Sequence, residues 1–215
     1  LRDVTAEASN SIVFFDAIRW QEYVPPPSCT TWNIATDFRI APNQENPNPD
    51  SCGNAGVWEF MGSGNPNYQL PTFTSNIGGY TGLDFWFGTH IDGNGSFPAI
   101  GFNGSGETRV FGAITFPVNA VNIHPAPVQS GVIAWHSPVS GHVSISGGVS
   151  DNDPACGNGI VWYLDKNTID LASGGIVNGG SQSFANGSGG TELGTVEVNI
   201  GDTIQGNKNS LTIAG

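Results

Sequence analysis

The stretch from Gly131 to Asp165, GVIAWHSPVSGHVSISGGVSDNDPACGNGIVWYLD, constrains the fold more than any other part of the chain. It holds short apolar runs separated by clusters of Gly, Ser, Pro, Asp and Asn. Val143 and Ile145 alternate with His142, Ser144 and Ser146, and Ile160, Trp162 and Leu164 alternate with Val161, Tyr163 and Asp165. A period of two sends alternate side chains to opposite faces of a strand. Turn residues recurring at this interval are the pattern of an all-β sandwich.

Other segments repeat the alternation. Residues 11–20 (SIVFFDAIRW) read as a first strand. Ile34, Thr36, Phe38 and Ile40 alternate with Asn33, Ala35, Asp37 and Arg39, and Leu83, Phe85 and Phe87 alternate with Asp84, Trp86 and His90. Residues 108–116 offer one more strand, and TVEVNIGDTI followed by SLTIAG reads as a closing hairpin. No segment keeps a helical period over ten residues. The expected fold is a two-sheet antiparallel β-sandwich, jelly-roll-like, of about ten to twelve strands. One domain is expected over residues 1–215, with residues 1–10 as a polar N-terminal arm.

Composition narrows the function classes. Of 215 residues, 31 are Gly and only 11% are charged, which is unlike a helical protein. The 12 Phe, 6 Trp and 4 Tyr interleave with β-branched residues and argue for an ordered core. Six Lys and Arg against 18 Asp and Glu give a net charge of −12. Nucleic acid is excluded as a partner, because phosphate binding needs a basic footprint. Anionic membrane surfaces are disfavoured for the same reason, and no apolar run approaches the ~20 residues of a membrane-spanning helix. The acidic surface is compatible with calcium or a neutral polysaccharide, and equally with a role in solubility alone.

Cys29 and Cys52 flank a Pro- and Asn-rich segment ending in PNQENPNPD, where a disulfide would staple a loop with little packing of its own. That pairing leaves Cys156 odd. NGS triplets begin at Asn94, Asn103 and Asn186; they match the glycan acceptor pattern, and Asn-Gly is also a strong hairpin turn.

Two places carry candidate chemistry. Asp151, Asn152 and Asp153 offer the hard oxygen ligands that Ca needs, against the alternative of an ordinary Asx turn. Asp92, Asn94 and Ser96 resemble only the first half of a calcium loop. Asp84, Trp86 and His90 would place a carboxylate, an indole and an imidazole along the outer face of one strand, a set suited to sugar recognition; the alternative is that Trp86 is packed inside. Trp58, Trp135 and Trp162 are expected in the core. The four His show no zinc-binding spacing, and no G-x-S-x-G elbow is present. Glu59 and Glu107 sit on or next to candidate strands and are the acids a glycosidase would draw on.

The segments WHSPVSGHVSISGGVSDNDP, GNGIVWYLDKNTIDLASG and VEVNIGDTI resemble a module of secreted bacterial surface proteins, of the planctomycete and sorting-signal-bearing exported type. Its pattern is W-x-x-P-x-x-G, alternating Val and Ser, a D-rich loop, and a final GDxI. WNIATDF and NAGVWEF resemble its opening strands. The resemblance covers loosely two thirds of the chain, and departs from the pattern after Ile204. It implies a carbohydrate-binding-type sandwich in an extracellular or cell-surface setting, and no reaction. The expected function is therefore non-catalytic binding of a polysaccharide or matrix glycan, with structural calcium. The alternative is a filament or surface-layer subunit that self-associates through an edge strand, with residues 1–15 exchanged; a glycosidase is the third.

Overall fold

The computed structural model describes residues 29–38, 45–64, 66–89, 98–126, 128–155, 157–207 and 211–214. Within them the chain is all-β, with seventeen short strands and one four-residue helix. Strands are numbered along the chain. A six-stranded antiparallel sheet runs in the order β13 (Ile169–Ile176), β12 (Ile160–Lys166), β16 (Thr203–Asn207), β10 (Gly131–His136), β2 (Trp58–Gly62), β3 (Tyr68–Gln69). A second sheet runs β1 (Thr31–Asn33), β17 (Leu211–Ala214), β11 (Gly141–Ser150), β14 (Ser181–Ser183), with β15 (Val196–Val198) also on β11. A third has the order β4 (Thr72–Thr74), β5 (Leu83–Phe87), β6 (Ala99–Asn103), β9 (Val121–His124), and β7 (Arg109–Phe111) with β8 (Ile114–Phe116) forms a hairpin.

One apolar cluster joins the three larger sheets. Trp58, Phe60, Ile133, Trp135, Trp162, Leu164 and Ile204 come from the six-stranded sheet. Trp32, Val143, Ile145, Val196 and Val198 come from the second sheet, and Trp86, Ile100, Phe102 and Val121 from the third. Trp32 lies on Trp135 with ring centroids 5.2 Å apart, and Trp162 on Phe184 at 5.0 Å. Each buried indole removes roughly 200 Å² from water, on the order of 5 kcal/mol before entropy is subtracted. Thus the alternation across β11 and β12 has its expected consequence. Trp162 and Leu164 are buried, while Val161 and Tyr163 between them are 55% and 46% exposed.

The expected strand over 34–40 is a correction. Ile34–Asp37 is a helical turn, α1, because Asn33 Oδ1 accepts the N–H groups of Ala35 and Thr36 and caps it. Ile34, Asp37 and Phe38 are then the buried set, a spacing of three and four. Asp37 points inward, where its Oδ2 accepts the indole N–H of Trp58 at 2.7 Å. Residues 108–116 form two strands rather than one, turned at Gly112 with φ +61°. The closing hairpin is absent too: β15 and β17 pair with β11, whereas β16 between them pairs with β10 and β12. The last three strands cross between sheets, since each has only one apolar face to bury. The strands also outnumber the expected ten to twelve because many span only two or three residues.

Cys29 and Cys52 are disulfide-bonded, with Cα atoms 5.8 Å apart. Between them Asp50, fully buried, accepts the indole N–H of Trp32 at 2.8 Å, the backbone N–H groups of Cys52 and Asn54, and the Asn54 amide. The loop is thereby tied to the central cluster twice, once covalently and once through Asp50. Replacing both cysteines with serine should lower stability by roughly 3 kcal/mol, from a closed loop of this length. Urea unfolding under non-reducing conditions reads that loss; an unchanged midpoint would show that Asp37 and Asp50 alone hold the loop.

Candidate functional site

The inner face of the six-stranded sheet is committed to tryptophans, so its chemistry lies on the other face. There Glu59, Ala134, Gln205, Asp165 and Asp170 stand in one register row across β2, β10, β16, β12 and β13. The next row holds His136 beside Thr203, and the row on the opposite side holds Tyr163 beside Ser173. Met61, Val132 and Ala134 make a small buried apolar floor on this side.

Two hydrogen-bonded groups span this face. His136 Nε2 lies 2.9 Å from Glu59 Oε2, and His136 Nδ1 lies 3.1 Å from Thr203 Oγ1. Gln69 donates to the other oxygen of Glu59 at 2.7 Å. The bond from His136 holds the Glu59 carboxyl below its ordinary range, against the opposing effect of burial. The side chains of Glu59 and His136 remain 15% and 32% exposed. In the second group burial pushes the Asp165 carboxyl above its ordinary range, the adjacent Asp170 adds to that, and Gln205 opposes it.

Another acid, Asp202, holds a turn. Asp202 accepts from Asn167, from the Asn199 backbone and from Lys166, whose Nζ is 3.0 Å away, and is held down to about 2. It clamps the turn before β16 onto the β12–β13 turn. The GDxI pattern at Gly201–Ile204 is thus a turn, with φ +87° at Gly201, and a core position at Ile204.

The sequence-derived site at Asp84, Trp86 and His90 does not have the expected form. Trp86 is only 7% exposed and packs edge-on against Phe73 in the main cluster, at 5.1 Å between centroids. Asp84 Oδ1 accepts the backbone N–H of Asn76. Strand β5 is buried on both faces, because Leu83 and Phe85 pack beneath Phe111 and Phe116 of the β7–β8 hairpin. No indole face is left for a sugar ring. His90 lies outside the described residues, as do Cys156, the 92–96 loop, and residues 1–15 invoked for strand exchange.

The Asp151–Asp153 loop is folded as a turn. Asp151 Oδ1 accepts from the Asp153 N–H and Oδ2 from the Gly179 N–H. Asn152 Oδ1 accepts from Ser150, and its amide donates to Asn122. Asp153 Oδ1 is buried with no hydrogen-bond partner among the described residues. Both Asp151 oxygens thus accept N–H groups of the turn itself, which is the Asx-turn alternative. Cys29, Asp50 and Cys52 also lie within ligand distance of one another, but the sulfurs are bonded together and Asp50 is occupied by N–H donors.

Glu59 and Glu107, the acids considered candidates for glycoside hydrolysis, are both engaged with basic side chains. Glu107 is on a loop, paired to Arg109 at 3.1 Å. Glu59 and Asp165 are three strands apart, about 14 Å at the usual strand spacing of ~4.8 Å, beyond the 6.5–9.5 Å of paired carboxylates. Asn103 is buried, its amide donating to the carbonyls of Glu107 and Phe116, whereas Asn186 is exposed. A cavity of ≈ 320 Å³ between β11 and the β8–β9 turn is lined by Val121, Gly147, Val149, Asn152 and Gln182.

No protein-family model matches the chain, and no curated protein or solved structure is significantly similar to it. No helix among the described residues is long and apolar enough to cross a membrane.

Two outcomes test this assignment of roles. Because the folded-state pKa of Asp165 is raised, its penalty is full at neutral pH and vanishes below the ordinary carboxylate pKa. Asp165→Asn should therefore melt about 2 °C higher than the parent at pH 7, with the gain disappearing towards pH 3.5; a gain that persists in acid would contradict the repulsion. A chelator should leave the melting temperature unchanged, and a calcium-dependent rise would restore the Asp151–Asp153 site.

Proposed function

We propose that this protein binds a neutral carbohydrate on the outer face of its six-stranded sheet, in an oxidising, extracytoplasmic setting. The observation that carries the reading is the surroundings of Tyr163. Tyr163 is 46% exposed and Val161 on the same face 55% exposed; their partners on β13 are the small Ser173 and Gly175, and on β16 Tyr163 stands opposite Asn207. A half-exposed aromatic side chain on a sheet face can accept the C–H face of a sugar ring. The row of Glu59, Gln205, Asp165 and Asp170 supplies carboxylate and amide groups for hydroxyls alongside it.

Charge favours the same ligand class. Arg109 and Lys166, the two Lys or Arg side chains among the described residues, are paired with Glu107 and Asp202. A polyanionic glycan would meet three acids on this face, whereas a neutral one meets hydrogen-bond partners. The disulfide supports an oxidising compartment. The resemblance to exported bacterial surface modules agrees with both, with the ligand face moved from β5 to β12.

Affinity electrophoresis through a panel of neutral polysaccharides tests the reading. At least one polymer should retard the protein, and Tyr163→Ala should weaken that retention by about tenfold or more, roughly 1.4 kcal/mol. Trp86→Phe, a change inside the core, should leave it intact. Retention that survives Tyr163→Ala, or is lost with Trp86→Phe in a folded protein, would move the site elsewhere.

A further inference from the structure

Glu59, His136 and Thr203 come from three neighbouring strands, β2, β10 and β16, and form one chain of hydrogen bonds. The contacts of 2.9 and 3.1 Å lie within the range of a nucleophile, a base and the group that orients the base. The protonation pattern follows from the carboxylate. Glu59 is held ionised by its bond to His136, so it can only accept, and Nε2 must carry the proton. In the neutral imidazole Nδ1 is then the acceptor, and the Thr203 hydroxyl donates to it. Gln69 fixes the remaining Glu59 oxygen, and the Thr203 backbone N–H is anchored on Asn167 Oδ1 at 2.9 Å. The arrangement is rigid on both sides of the imidazole and reachable from solvent, since His136 is 32% exposed.

We infer that Glu59, His136 and Thr203 form a catalytic relay for acyl transfer, with Thr203 Oγ1 as nucleophile and an ester as substrate. The Thr203 proton passes to His136 Nδ1 while Oγ1 bonds to the acyl carbon. The ester C–O bond then breaks, and the leaving oxygen takes the proton from Nδ1. Water deprotonated by Nδ1 attacks the acyl carbon of the acyl-threonine, the bond between that carbon and Oγ1 breaks, the carboxylic acid departs and Oγ1 takes the proton back from Nδ1. No metal or oxidant enters the balance. The site shares a face with the proposed carbohydrate platform, and an O-acylated sugar is the substrate class that uses both; only this choice of substrate rests on the carbohydrate reading.

The test uses the full chain with 4-nitrophenyl acetate, which needs no sugar binding, and an alkyl fluorophosphonate, with the modified residue located by peptide mass. Wild type should release nitrophenolate and carry the label on Thr203. Thr203→Val, which keeps the shape of the side chain, should abolish both. Thr203→Ser should retain them, and His136→Gln should slow acylation by about 100-fold or more. Hydrolysis no faster than that of folded Thr203→Val, or a label elsewhere, would overturn the relay and leave the three residues as a structural network. Loss of polysaccharide retention with esterase activity intact would instead count against the carbohydrate face alone.

Discussion

The fold depends on two carboxylates placed where water cannot reach them. Asp37 and Asp50 are buried, and each accepts an indole N–H, from Trp58 and Trp32 respectively. Buried carboxylates are costly unless hydrogen-bonded, and burial pushes Asp37 above its ordinary range. That cost fixes the geometry. The two indoles can be satisfied only when α1 and the disulfide loop sit against the edge of the six-stranded sheet. Trp32 then meets Trp135 across the core. The polar pair specifies one arrangement of tryptophans that apolar packing alone would leave loosely defined.

From that core the functional face follows. Among the described residues five tryptophans occupy the inside, three of them on β2, β10 and β12, so the pleat sends the strand neighbours of those three outward. Glu59 follows Trp58, His136 follows Trp135, and Tyr163 follows Trp162. The residues most able to act on a ligand are thus the immediate chain neighbours of the residues most responsible for stability. The proposed binding and acyl transfer would both draw on this coupling, because β-strands hold side chains more rigidly than loops do.

The sequence was readable where one strand face is wet and the other dry. In β11 and β12 the alternation of polar and apolar residues corresponds to burial, position by position. It misled at β5, where LDFWF alternates in the same way but the sheet is covered on both sides. An outward Trp and an inward Trp give the same letters; only the β7–β8 hairpin lying on Phe85 decides between them. It misled again at Ile34–Phe38, where a cap from Asn33 outweighs a period of two seen over only a few residues. Asp151–Asp153 carried an ambiguity that loop composition cannot resolve, since calcium loops and Asx turns draw on the same residues.

What the sequence determined by itself is local: the all-β class, the cysteine pair bracketing its loop, the turns, and the strands whose two faces meet different solvents. Each depends on residues a few positions apart, through backbone preference and the two-residue period. The tertiary structure alone decided what those strands lie beside. Glu59, His136 and Thr203 are separated by 77 and 67 positions and share no motif, and they meet because β10 pairs with β2 on one side and β16 on the other. Register between distant strands is set by burying tryptophans on one face of all of them at once. The composition of the opposite face follows from that register, and no window of sequence contains it.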